Sequence, residues 1–266
     1  MKPLNDPFTD PLPDEVPLPR APLVRVVAQV RFPPVLSIEK RDFVAPFQEA
    51  VRARYPSLRG EQTRGLLMGP QGSVPTPPAL IWRFTDIEER WRVSLAAEFV
   101  AIETTAYESR GDLMDRLEQV LFALEEHVGP KTVDRLGVRY IDRITGEEVS
   151  DIEKLVRPEV LGVAGTAAAQ YASHTLSEAL FSLPSRSAEL RARWGLLPPH
   201  GTVDPAAVEP IDERSWILDL DMFSSKPRPF EQSSILSDAR AYAERSYCFF
   251  RWVVTADFLR LYGGEV

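Results

Sequence analysis

The stretch DRLGVRYIDRI at residues 134–144 decides how the rest of the chain is read. Its β-branched and aromatic residues alternate with polar ones in steps of two, and Thr145-Gly146 stops it, which predicts a strand. It lies near mid-chain and opens a second succession of elements that parallels the first. The first succession begins at residues 23–32. There Val24, Val26, Ala28, Val30 and Phe32 share one face, Arg25, Val27, Gln29 and Arg31 the other, and Pro33-Pro34 ends the strand.

A helix follows over about 40–55, with Phe43, Phe47, Ala50 and Val51 on its buried side and Pro46 in its early turns. Three strands are expected next. Residues 65–69 form a short one, and 79–85 places Leu80, Trp82 and Phe84 opposite Ile81, Arg83 and Thr85. Residues 90–104 return as one long strand, with Trp91, Val93, Leu95 and Ala97 toward the core. Residues 109–128 give the clearest helical spacing, and Gly129-Pro130 closes it. After the strand at 134–144 come a shorter helix at 151–161, an Ala- and Gly-rich link at 162–170, and strands at 177–183, 188–197 and 215–224. A long final helix over 231–262 breaks once.

Trp82 and Trp194 stand 112 residues apart, as do Arg31 and Arg143. Trp91 and Trp216 are 125 apart, which puts a 13-residue insertion into the Pro-rich loop 198–214. These offsets predict a duplicated β-α-β-β-β-α unit, with halves at 22–130 and 131–266. The expected fold is α+β: a curved, mainly antiparallel sheet with helices on one face and the other face open. The element order resembles the TATA-box-binding-protein saddle. A helix-grip fold is the alternative, in which Phe249, Phe250, Trp252 and Phe258 would line a cavity for an apolar ligand.

Residues 1–21 carry seven of the prolines if Pro22 is counted with them, so a Pro-rich leader, extended or disordered, precedes the body. As an arm it would anchor through Leu4, Phe8, Leu12 and Leu18. It lacks the basic start and apolar centre of a secretion signal, and no apolar run reaches the ~20 residues of a membrane helix. A single cysteine, Cys248, excludes an internal disulfide, so the reading is cytoplasmic. A net charge of −8 opposes nonspecific nucleic-acid or anionic-membrane binding.

No nucleophile elbow, phosphate-binding loop or paired-histidine zinc helix is present. His127 falls at a helix end, His174 and His200 in loops, and Cys248 in an aromatic run; each reads as structural. Asp219 and Asp221 alternate on one strand face without a third ligand, so neither metal nor cofactor is expected. The distinctive feature is arginine on the faces opposite the apolar ones. Arg31, Arg83, Arg139, Arg143, Arg191 and Arg193 are the candidate ligand-binding residues, with Arg25, Arg92 and Arg135 beside them. Guanidinium is a planar fork suited to carboxylate or phosphate, which lysine is not. Cross-strand pairing with Glu98, Glu103, Asp142, Glu189, Asp219 and Asp221 is the competing use.

Three blocks carry a resemblance: PLVRVVAQVRFPP at 22–34, DRLGVRYIDRI at 134–144, and a C-terminal helix with Phe249-Phe250 before VVT at 253–255. They resemble a sporadically distributed family of bacterial proteins of similar length without established function. The resemblance covers nearly the whole chain after the leader. The histidine at the start of that family's last helix is replaced here around Tyr242. The family supplies no catalytic residues, and its patchy distribution implies mobile or defence-related genes. The expectation is a non-enzymatic binding or regulatory module whose partner is another protein encoded nearby, such as a toxin or defence effector. The alternative is an enzyme or sensor that holds a nucleotide or other small anionic ligand against the arginine face.

Overall fold

The computed structural model describes residues 4–63, 66–69, 72–75, 79–183 and 187–265. In chain order the elements are β1 (Leu23–Arg31), α1 (Arg41–Val51), β2 (Ser57–Thr63), β3 (Leu66–Gly69), β4 (Gly72–Pro75), β5 (Ala79–Thr85), β6 (Trp91–Ala96), β7 (Phe99–Thr104) and α2 (Arg110–His127). Then come β8 (Thr132–Val133), β9 (Arg135–Ile144), α3 (Ile152–Leu155), α4 (Pro158–Leu161), β10 (Ser177–Leu183), β11 (Ala188–Leu197), β12 (Ser215–Ser224), β13 (Arg228–Pro229), α5 (Gln232–Val253) and α6 (Ala256–Leu261).

The fold is α+β. Nine strands form one sheet in the order β10-β11-β12-β9-β1-β7-β6-β5-β2, and the ladders β10–β11, β11–β12, β2–β5, β5–β6 and β6–β7 are all antiparallel. Two compact units divide the chain. One holds residues 27–137 and 225–239; the other holds 1–26, 138–224 and 240–266.

In the 27–137 unit, alternation along β5 and β6 buries Trp82, Phe84, Trp91, Val93 and Leu95. The Phe47 ring of α1 lies 5.5 Å from Phe84, and the Trp82 indole donates to the Ile38 carbonyl at 2.7 Å. From α2, the Arg116 guanidinium lies 4.2 Å from the centre of the Trp91 ring. Helix α2 starts where expected, because the Ser109 hydroxyl accepts from the Asp112 N–H at 3.1 Å. Its end is also as expected, at Gly129 with φ +63°.

Two expectations fail in this unit. Residues 90–104 are two strands joined at Ala97-Glu98, a pair without glycine or asparagine to announce a turn. The bend is held from outside: Phe32 N–H donates to the Glu98 carbonyl and Val35 N–H to the Ala97 carbonyl. Strand β2, SLRGEQT, was not foreseen, since it is an exposed sheet edge without apolar alternation. Of the short strand expected at 65–69, Leu66–Gly69 pairs with Gly72–Pro75, while Gly65 lies outside the described residues.

In the 138–224 unit, β10, β11 and β12 have the expected bounds. The helix foreseen at 151–161 is instead split into α3 and α4, because Arg157 precedes Pro158 and takes an extended conformation. Val156 bridges Val254, which interrupts the last helix at the same level. Thr255 then restarts the chain as α6: its hydroxyl accepts from Phe258 N–H and donates to the Lys154 carbonyl at 2.6 Å.

The duplication register is corrected in one respect. Counted outward from the opening strand, the second half runs β9-β12-β11-β10 and the first β1-β7-β6-β5-β2. Arg31 and Arg143 both lie near the ends of opening strands. Trp194, however, is on the third strand and Trp82 on the fourth, so the shared offset of 112 does not make them equivalent. Splitting 90–104 into two strands is the cause.

Candidate functional site

Strand alternation brings Arg139, Ile141 and Arg143 of β9 to one face, with Arg191 and Arg193 of β11 and Asp219 of β12 on the corresponding face of their ladder. Asp219 faces Arg193 across that ladder and is 1% exposed. Arg139 grips its carboxylate bidentately, Nε to Oδ1 at 2.7 Å and Nη2 to Oδ2 at 3.0 Å, and Arg193 Nε reaches Oδ2 at 2.9 Å. Both carboxylate oxygens are therefore held by guanidinium.

The loop 198–214 covers this face, which the sequence reading left open. Arg139 Nη1 donates to Asp204 Oδ2 at 2.7 Å, Arg193 Nη1 to the Val203 carbonyl at 3.3 Å, and Arg143 Nη1 to the Glu209 carbonyl at 2.7 Å. Between the arginines, Ile141, Leu197 and Ile217 form an apolar strip on which Val208, Val203 and Ala207 of the loop pack. That strip is why the loop settles here. Burial works to lower the Arg139 guanidinium, but the hydrogen bonds and charge of Asp219, then of Asp204, overrule it and hold it above its ordinary value. Burial likewise works to raise Asp204, and Arg139 holds it below the usual carboxylate range.

Arg143 is different. It is 8% exposed, and burial pulls its guanidinium below the ordinary value. Its Nε and Nη2 atoms meet no acceptor among the described residues. The Ser215 hydroxyl, equally buried, meets none either.

The remaining candidates lie elsewhere. Arg191 is exposed and sits 5.6 Å from the Phe223 ring centre. In the other unit Arg31 pairs with Glu98 at 3.0 Å, and Arg83 with Glu61 at 3.1 Å and the Ser94 hydroxyl. Arg92 pairs with Glu103, directly opposite it across the β6–β7 ladder. Of the six arginines singled out from sequence, the structure gathers Arg139, Arg143 and Arg193 beneath one loop.

The arm expected as the alternative to a disordered leader makes a second site, through arginine contacts that the sequence does not announce. Residues 4–18 run along α5, first as a turn over 6–10 and then as a stretch without helix or strand over 11–18. Arg157 donates to the Leu4 carbonyl, Arg245 to those of Pro7 (2.9 Å) and Asp10 (3.0 Å), and Arg251 to that of Asp14 (3.0 Å). The Tyr247 hydroxyl accepts from Val16 N–H at 2.9 Å. A turn closed by Asp6 and Asp10 presents Phe8, whose ring lies 5.0 Å from Phe181 and 5.8 Å from Phe249. Leu12, expected as an anchor, is exposed. The sequence signal was there in Arg245 and Arg251 of one helix, but nothing in the spacing says what they hold.

Phe249, Phe250, Trp252 and Phe258 do not line a cavity with one another: Phe249 packs on Trp252 at 5.5 Å and Phe250 on Phe258 at 5.6 Å. Cys248 is fully buried. His200 pairs with Asp212 at the surface, and His127 ends α2. One titratable group stands apart. Asp142, on the opposite face of β9 from Arg143, is pushed up to about 7 by burial. Near it, burial and then the charges of Glu148 and Asp142 push Tyr262 up to about 12.

Compared with known proteins, the chain matches no family model and no curated relative. Among the described residues no helix is long and apolar enough to cross a membrane.

Proposed function

We infer that the protein is a non-enzymatic binding module that recognises a proline-containing segment of another protein along α5. The carrying observation is the way residues 4–18 are held: three arginines donate to four main-chain carbonyls, and a single aromatic, Phe8, enters a ring cluster. Main-chain carbonyls held at intervals of three or four residues, with prolines at 7, 11, 13 and 17 that lack amides, suit a proline-rich segment that turns once and then runs on along the helix. The polar side chains at 5, 9, 14 and 15 are exposed, while Pro7 is buried and Leu4, Phe8, Val16 and Leu18 are half-buried. A partner encoded nearby, of the toxin or effector class that the resemblance implies, is the first to try.

A labelled peptide with the sequence of residues 4–18, added to the full-length protein, tests the groove. Phe8→Ala should loosen the resident segment and strengthen binding of the added peptide; Arg245→Gln should weaken it. Absence of binding to either the wild type or Phe8→Ala reduces the contact to a structural clamp. Capture of the neighbouring gene product, lost on adding that peptide, would identify the partner.

A further inference from the structure

The unpaired edge of Arg143 marks a different site, independent of the α5 groove. In an arginine, Nε–H and Nη2–H point the same way and form the edge that takes both oxygens of a carboxylate or phosphate. Arg139 uses that edge on Asp219. Four residues along the same face of β9, Arg143 presents the same edge, buried, to no protein acceptor among the described residues.

The register shows what stands in the acceptor position. Strands β9 and β12 are neighbours in the sheet. Arg139 meets Asp219, Ile141 and Ile217 share one apolar cluster, and Gly146 N–H donates to the Glu213 carboxylate at 3.1 Å. Those contacts run antiparallel, so Ser215 falls beside Arg143 as Asp219 falls beside Arg139. Where the first arginine has a carboxylate, the second has a hydroxyl, itself buried and without a partner among the described residues. A buried charge with one carbonyl for company is costly, and the missing element is negative charge with two oxygens.

We propose that the Nε/Nη2 edge of Arg143 and the hydroxyl of Ser215 form a binding site for a small oxyanion, a carboxylate or a phosphate monoester, enclosed by the loop 198–214. Two anion oxygens meet the guanidinium edge, and the Ser215 hydroxyl donates to one of them. The Glu209 carbonyl, already held by Arg143 Nη1, fixes the guanidinium plane.

The test uses the full chain at constant ionic strength, titrated with acetate or with inorganic phosphate against chloride. A saturable rise in melting temperature is expected with one of them, roughly 5–10 °C at a hundredfold excess over Kd. Acetate alone would identify a carboxylate ligand, phosphate alone a phosphate monoester. The Arg143 Nε–H resonance should shift in the same titration. Ser215→Asp supplies a carboxylate in the register of Asp219, so it should melt higher without ligand and lose the response. Arg143→Lys keeps the charge but lacks the two-donor edge, and its response should fall at least tenfold in affinity. No saturable rise with either anion overturns the site and leaves ordered water as the partner of Arg143. A rise undiminished in both variants overturns it too, by placing the anion elsewhere. Neither result bears on the α5 groove.

Discussion

Arg139 holds Asp219 through both edge nitrogens, and Asp219 in turn is shared with Arg193. Asp219 and Asp204 together neutralise the two guanidiniums, and Asp219 is the one that bridges them. Asp219→Ala should cost about 3–5 kcal/mol, since it leaves Arg193 with the Val203 carbonyl and Arg139 with Asp204 rather than merely deleting one bond. Urea unfolding of the variant measures it, and added salt should recover little of the loss because the group is screened by protein rather than by ions.

Asp142 gives the protein a pH dependence of definite sign. Its carboxyl titrates near 7 when folded, against an ordinary value of 3.8. The folded state therefore binds the extra proton in that window, and stability present below pH 4 is lost as pH rises through 7. Asp142→Asn should flatten this decline and raise stability at pH 8 by up to about 4 kcal/mol. Unfolding curves at pH 5 and pH 8 decide it; an unchanged difference between the two would mean the group does not titrate there.

Trp82 and Trp194 should respond unequally to truncation. Trp82 is 6% exposed and its indole N–H is bonded to Ile38, so Trp82→Ala should cost about 3–5 kcal/mol. Trp194 is only half-buried, and the same change there should cost about 1–2 kcal/mol. Equal losses in thermal or urea unfolding would argue against the strand positions described above.

Gly195 allows a close approach that no other residue permits. A Cβ at this position would fall 1.9 Å from the Thr175 carbonyl oxygen, and φ is +149°. Gly195→Ala must therefore push residue 175 away from β11 and break its bonds with Leu196. Hydrogen exchange at the Thr175 and Leu196 amides should accelerate at least tenfold, with a stability loss above about 1 kcal/mol.

Much of this fold was legible because its signals are local. Two-residue alternation marked β5, β11 and β12, and Ser109 with Gly129 bounded α2. What escaped was set by distant parts of the chain. The turn at Ala97-Glu98 is held by residues 32 and 35, and the break expected in the last helix takes its place at 254 only because Val254 bridges Val156, where the shorter helix also parts. The arginine faces were legible as a pattern, and so was pairing as one of their uses. That loop 198–214 would close over Arg139, Arg143 and Arg193 was not, because its short run of Val203, Ala207 and Val208 carries no periodicity. Asp204 also shapes the loop, accepting from Ala206 N–H. The role of Arg245 and Arg251 was hidden for a plainer reason: carbonyl acceptors belong to every residue and leave no trace in a sequence.

The clamp on residues 4–18 also dictates an order of events during synthesis. Pro7 and Arg245 are 238 residues apart, so the segment at 4–18 must wait, unheld, until the residues of α5 have left the ribosome. Its prolines and acidic groups suit that interval, since such a stretch neither pairs as a strand edge nor collapses on its own. At synthesis rates of about 5–20 residues per second, the groove on α5 comes into being roughly 10–50 seconds after the segment that fills it. During that interval the segment is open to anything else in the cell that binds an extended chain.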